Sequence, residues 1–384
     1  MRVSSEVAEQ EYEDLQALEY EGAQHRLFAW QIGCLFGLLI AFLWSGFSVV
    51  LAENLTIRWG ADLWFWVNMA YTALVVLGIS VFLFPFSYYG GYVLEHHYGL
   101  SNQTVGDWSG DYLKSVLMDL VIASVLVSVL YAFLRWIPEI WWWVGTGFYI
   151  AFSLLFSFLA PVVILPLFNP FEPLEDGALE ERVRSVVASA GITLSGVYCW
   201  GVEEKTNTAN AAFVGVGKTK RIILSDTLLK AYSDEEILAV VAHEAGHCRN
   251  RDMMRLMGVH AGFALAGFYV VDLFLHGLIR WVGLSSISDI AGAPLFFFGV
   301  ILFSMCMMPV ANGYSRRREF AADAYAVEAM GSAEALVSAL EKLSRQNLSV
   351  REPKRWVEWF LHSHPSLKRR VERARLRAAE LASG

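Results

Sequence analysis

Long runs of apolar residues, almost free of charge, constrain this chain more than any other feature. Six can be marked, at roughly 28–52, 64–94, 115–136, 141–168, 254–282 and 293–315. A bilayer core about 30 Å thick is crossed by ~20 helical residues, since each backbone polar group there must be satisfied within its own segment. The pattern predicts six membrane-spanning helices. The second run is long and holds Pro85, Gly90 and Gly91, so it is expected to kink or to continue past the bilayer. Tyr88, Tyr89, Trp136, Trp141, Trp142 and Trp143 stand near run ends, where amphipathic rings anchor at the membrane interface.

Six spans put both termini on one side. The loops near 53–63, 137–140 and 283–292 carry one basic residue, Arg58, with Arg135 and Arg280 at adjoining helix ends. The other 27 of the 30 Lys and Arg lie opposite, so that side is expected to be cytoplasmic. The first run follows acidic residues (Glu6, Glu9, Glu11, Glu13, Glu19, Glu21) rather than the short basic segment of a cleavable signal. It is therefore expected to be kept as a span. The net charge of −8 argues against a nucleic-acid partner. Cys34, Cys199, Cys248 and Cys306 show no C-x-x-C spacing, which argues against a disulfide framework or a thiolate metal site.

The expected organisation is an N-terminal cytoplasmic segment (1–27), four spans (28–168), a polar α+β segment (169–253), two further spans (254–315) and a charged helical tail (316–384). Within 169–253, Ala178 to Ala190 has helical spacing, and Val197–Trp200, Ala211–Val214 and Ile222–Leu224 read as short strands. The last two flank Gly215-Val216-Gly217-Lys218, as in a β-hairpin; this G-x-G-K lacks the rest of a phosphate-binding loop.

Ser233-Asp234-Glu235-Glu236 has the form of a capping box opening a helix that runs into His243-Glu244-Ala245-Gly246-His247. Histidines four apart share one helix face, so both imidazoles can meet one metal ion, with Glu244 placed to take a proton from water. A catalytic zinc site needs a third protein ligand. Arg316-Arg317-Arg318-Glu319-Phe320-Ala321-Ala322-Asp323 follows the sixth run on the same side. Glu319 can ligate there while Asp323, one turn on, orients a histidine through its other ring nitrogen. Spacing alone fits equally an ordinary charged helix end meeting anionic headgroups. His362-Ser363-His364-Pro365 reads by itself as a surface turn.

Taken in order, these and other segments resemble the type I CAAX prenyl endopeptidases. Glu95-His96-His97-Tyr98-Gly99-Leu100-Ser101-Asn102-Gln103-Thr104 is similar to the family's loop after an early span, and Pro166-Leu167-Phe168-Asn169-Pro170-Phe171 to its exit from a later one. Asn210-Ala211-Ala212-Phe213, Gly217 to Arg221 and Asp226-Thr227-Leu228-Leu229 resemble its active-site strand and hairpin. The resemblance implies a mainly α fold: a polytopic helical bundle enclosing a chamber, with a small cytoplasmic α+β zinc-protease domain. It implies one Zn2+ held by His243, His247 and Glu319, with Glu244 as general base and Asp323 behind a ligand. His364 and Arg370 match positions near the scissile carbonyl, and Asn210, Ala211, Ala212 and Phe213 the strand that pairs with substrate backbone. Six spans where the eukaryotic enzymes have seven point to a compact prokaryotic member in a bacterial or archaeal inner membrane.

The expected function is hydrolysis of peptide bonds near the C-terminus of CaaX-type polypeptides, prenylated or not, or of other membrane-associated polypeptides. One alternative is quality control of damaged membrane proteins, which uses the same H-E-x-x-H and downstream Glu. A zinc transporter or scaffold is the other. It would place ligands near the bilayer midplane and needs no Glu between the histidines.

Overall fold

The computed structural model describes residues 2–215, 217–284 and 286–383, so Val216 of the expected hairpin loop lies outside the described residues. The side chains of Glu6, Glu9 and Glu11 also lie outside them. Helix α1 (Arg2–Trp44) is followed by α2 (Phe47–Trp59), α3 (Trp64–Tyr88), α4 (Val105–Trp136) and α5 (Trp141–Leu159). A polar segment then carries β1 (Phe171–Pro173), α6 (Gly177–Ser189), β2 (Gly196–Trp200), β3 (Ala211–Val214), β4 (Arg221–Ser225) and α7 (Asp234–Arg249). Helices α8 (Asp252–Leu278) and α9 (Ala293–Met330) return to the bundle. The chain closes with α10 (Glu334–Gln346), α11 (Arg355–Leu361) and α12 (Leu367–Ser383).

Six helical stretches are long and apolar enough to cross a membrane: Tyr12–Trp44, Ala61–His97, Val105–Trp136, Trp141–Leu159, Asp252–Leu278 and Ile290–Met330. One detail corrects the sequence reading. The first run does not continue to residue 52, because the chain breaks at Ser45-Gly46, where Gly46 takes φ 72°, and residues 47–59 form the separate helix α2. Residues 2–27 form the start of the 43-residue α1, about 65 Å long at 1.5 Å per residue. The second run continues as anticipated: past Pro85, which cannot donate to the helix ladder, a π-helical turn spans Tyr89–Leu94 and helix resumes over Glu95–His97.

The main contacts among the long helices close a ring. Helix α1 packs on α3, α3 on α4, α4 on α5, α5 on α8, α8 on α9, and α9 again on α1. At one end α2 and the short turn Ile290–Gly292 fold inward. Ser48 Oγ lies 2.6 Å from Tyr71 Oη and donates to Ala291 O at 2.6 Å, within a core that includes Trp141, Tyr131 and Leu275. Trp44, Trp136 and Trp281 are exposed at that end, as interface anchors are.

The polar segment sits at the other end. Its sheet has the order β1-β2-β4-β3, with β2 and β4 parallel and the other pairs antiparallel. Strand β3 is therefore an edge, held on one side by Ala211 opposite Leu224 and Phe213 opposite Ile222. The hairpin was legible; β1 and the parallel β2–β4 pair were not, because three residues of Phe-Glu-Pro carry no alternation. Helix α6 lays Leu179, Val183 and Val187, at i, i+4 and i+8, onto a core shared with α7 and the sheet.

Two polar loops of the membrane half join it to this subdomain. Asn102 N donates to Lys205 O at 3.0 Å, and its Nδ2 reaches Glu203 O at 2.8 Å. Asn169 Nδ2 donates to Gly201 O at 2.7 Å, and Lys205 Nζ reaches both Asp111 Oδ2 (2.7 Å) and Phe168 O (2.8 Å). Residues 201–207 thus serve as the seam between sheet and bundle.

Candidate metal centre

Helix α7 starts where its sequence dictates. Ser233 Oγ accepts from Glu236 N, and the Glu236 carboxylate accepts from Ser233 N at 2.8 Å. Glu236 also ties α7 to α10, accepting from Ser338 Oγ at 2.5 Å and Lys342 Nζ at 2.7 Å. Burial opposes ionisation of Glu236, but these donors outweigh it and hold its carboxyl down at about 2.

Three turns on, His243 and His247 point their Nε2 atoms at each other, 3.2 Å apart. Glu319 comes from α9. Its Oε1 lies 3.2 Å from His247 Nε2 and its Oε2 3.6 Å from His243 Nε2. One ligand atom from each of the three residues lies within 4.8 Å of the others. Gly246 makes the approach feasible: a Cβ there would stand 3.0 Å from Ala322 Cα and 3.2 Å from Ala322 O, so a side chain would push α7 off α9.

The outer ring nitrogens are engaged by carboxylates. His243 Nδ1 lies 2.9 Å from Asp323 Oδ1, and Asp323 accepts two hydrogen bonds from Arg370, at 2.9 Å from Nε and 2.6 Å from Nη2. His247 Nδ1 lies 2.9 Å from Asp252 Oδ2, and Asp252 Oδ1 accepts from Arg318 Nε at 2.5 Å. In the neutral form each imidazole would give its proton to a carboxylate and turn a lone pair inward. Asp252 and Arg318 went unread in the sequence. The available signal was an Asp five residues after His247. The link is made by Arg251, whose φ of 55° reverses the chain between α7 and α8 and returns Asp252 to the histidine.

The donor set fits a divalent cation. Glu319 Oε2 is buried and makes no hydrogen bond among the described residues, although His364 Nδ1 stands 2.9 Å away. With neutral imidazoles, the four carboxylates of Glu244, Asp252, Glu319 and Asp323 face the two guanidiniums of Arg318 and Arg370, leaving two negative charges to balance. Two imidazoles and a carboxylate are a zinc donor set. Without the ion, burial would push His243 down, but Asp323 and Glu319 outweigh it and lift the imidazole to about 10. Burial lifts the Glu244 carboxyl above the usual carboxylate range, against the pull of the two histidines. Glu244 makes no hydrogen bond among the described residues and lines a cavity of about 530 Å³.

That cavity brings together most of the residues singled out above. Its wall includes His243, Glu244, Glu319, His364 and Arg370, and on the sheet side Asn210 and Ala211. Ala212 and Phe213 follow on the same edge strand but are not part of the wall. Asn210 immediately precedes β3, and its backbone is paired with Ser225. His364 is largely exposed, whereas the Arg370 side chain is 12% exposed and commits two of its three nitrogens to Asp323.

A ring of membrane helices closed at one end by an H-E-x-x-H helix, with a Glu delivered from the last membrane helix, defines a multi-pass membrane metallopeptidase. The comparisons agree. The model of peptidase family M48 matches residues 173–378, and that of the CAAX prenyl protease N-terminal region, described as five membrane helices, matches residues 2–170. The chain belongs to peptidase family M48. It is 33% identical over 288 residues to the uncharacterized metalloprotease YhfN of Bacillus subtilis, covering 74% of this chain and 68% of that protein. It is 32% identical over 315 residues to a CAAX prenyl protease 1 homolog of Oryza sativa, covering 79% and 72%. The fold matches the crystal structure of S. mikatae Ste24p with a TM-score of 0.84 at 23% identity, over 94% of this chain and 89% of that one. Within residues 2–170 the chain has four helical stretches of spanning length and the 13-residue α2.

Proposed function

We propose that the protein is a zinc endopeptidase that cuts CaaX-type C-terminal segments, with its active site and both termini on the cytoplasmic side. The observation that carries the reading is the convergence of the His243, His247 and Glu319 donor atoms, with His243, Glu319 and a Glu244 that makes no hydrogen bond among the described residues on the wall of one cavity bounded by a sheet edge. Zinc held there would make water a nucleophile at neutral pH and polarise a peptide carbonyl. Glu244, with its raised affinity for a proton, takes the proton of the attacking water and passes it to the leaving amine. His364, exposed on the cavity wall, donates to the developing oxyanion, and Nη1 of Arg370 adds positive charge nearby. The free edge of β3 offers backbone groups to an extended substrate strand, which aligns the scissile bond over Glu244. The name of the rice relative supports the CaaX class, and the distribution of Lys and Arg supports the orientation.

The test incubates detergent-purified protein with a farnesylated and an unmodified CaaX peptide and reads products by mass spectrometry. Glu244→Gln and chelated protein are the controls. Cleavage of both peptides, lost in both controls, supports an endopeptidase indifferent to the lipid; cleavage of the farnesylated peptide alone makes the lipid part of recognition. No cleavage of either by zinc-loaded protein refutes the CaaX substrate. Turnover by Glu244→Gln at the wild-type rate refutes the assignment of the base.

A further inference from the structure

A second group of side chains that could hold a metal ion reaches the same cavity through Glu21 and His362. Glu21 and His25 stand four residues apart on one face of α1, and His362 reaches them from the segment between α11 and α12. One ligand atom from each lies within 4.8 Å of the others, and His362 Nε2 is 3.1 Å from Glu21 Oε1. The rings of His25 and His362 are tilted at 43° with centroids 5.9 Å apart, so they are not stacked face to face. All three residues are half-buried. Among the described residues, no hydrogen bond engages the ring nitrogens of His25, and Glu21 and His362 side chains pair only with each other.

We propose that Glu21, His25 and His362 form a second, lower-affinity zinc site. Two imidazoles with one carboxylate suit zinc and disfavour calcium and magnesium, which take oxygen ligands. The site borders the cavity, whose wall includes Glu21 and His362. The site joins elements more than three hundred residues apart. Its third ligand stands two residues before His364, in a segment already held by Arg316, whose Nη1 donates to His362 O at 2.6 Å. An ion there clasps α1 to the His364-bearing segment and fixes one side of the cavity mouth. Zinc in excess of one ion per chain therefore restrains the His364-bearing segment, which on the proposed endopeptidase reading borders the substrate path.

The test is the metal count of tag-free, full-length protein in detergent, dialysed against micromolar zinc and read by elemental mass spectrometry. Two ions per chain are expected for the wild type, and one each for His25→Ala and His362→Ala. The retained ion shows that these variants fold and keep the first site. Glu21→Gln, which preserves side-chain volume, is a further variant expected to hold one ion and serves if His25→Ala does not fold. A wild type saturating at one ion, or folded variants still holding two, overturns the proposal.

Discussion

The second carboxylate behind the histidines gives the sharpest test of the site. Asp252 is 2% exposed and divides its oxygens between His247 Nδ1 at 2.9 Å and Arg318 Nε at 2.5 Å. Asp252→Asn keeps the shape but has one acceptor for two donors. If the amide oxygen stays on Arg318, its NH2 meets His247 Nδ1 and selects the tautomer with a proton on Nε2, where the metal lone pair should be. If the oxygen turns to His247, the NH2 faces a guanidinium. Either choice forfeits a charge-assisted hydrogen bond worth about 1.5–3 kcal/mol. Charged to metal binding, that is roughly a 10–100-fold weaker zinc affinity, the usual cost of losing a carboxylate behind a ligating histidine. Competition against a chromophoric chelator in detergent measures it. Asp252→Asn protein that is folded and binds zinc within twofold of the wild type would refute the reasoning, and with it the claim that Asp252 sets the His247 tautomer.

Two further outcomes follow from the same geometry. Gly246→Ala should separate α7 from α9, since the atoms a methyl would meet are the backbone of Ala322 and the Tyr325 ring at 3.2 Å. A cost of about 1–3 kcal/mol is expected, read as a lower melting temperature together with weaker zinc binding; no change in either would place the contact elsewhere. The metal-free protein should also lose stability as pH rises. His243 would titrate at its ordinary 6.5 when unfolded but holds its proton to about 10 when folded. Its contribution is therefore complete below about 6.5 and declines through about 10. Zinc binding near pH 7.5 should accordingly expel protons, about one from His243 and a further share from His247, whose partner Glu319 also raises its hold on a proton against the pull of burial, seen by calorimetry in buffers of different ionisation enthalpy. Zero release would mean that His243 is already neutral.

The parts of this molecule that depend on local pattern could be read from the chain. Apolar length announces a bilayer span because lipid satisfies no backbone group, and the long runs at 64–94, 115–136 and 293–315 correspond to helices α3, α4 and α9. Ser233 and Glu236 mark the start of α7 because both ends of the capping box lie within one turn. Two histidines four residues apart must share a helix face. Breaks within a run were harder to see. Nothing in the composition around Ser45-Gly46 sets it apart from other glycines, and only the packing of α2 against Tyr71 and Ala291 selects the positive φ there.

The tertiary structure alone decided what stands behind and across from the histidines. Glu319 lies 76 positions from His243 in number and 3.6 Å away in space, and spacing could not separate a ligand from a charged helix end. Asp252 and Arg318 acquired a role only through the reversal at Arg251 and the close approach of α7 to α9 over Gly246. The same holds for Glu21 and His25, which meet His362 only because α1 packs on α9 to complete the ring. Sequence periodicity records which face an element buries. Which elements then face one another depends on contacts between residues far apart in the chain, and no local pattern encodes those.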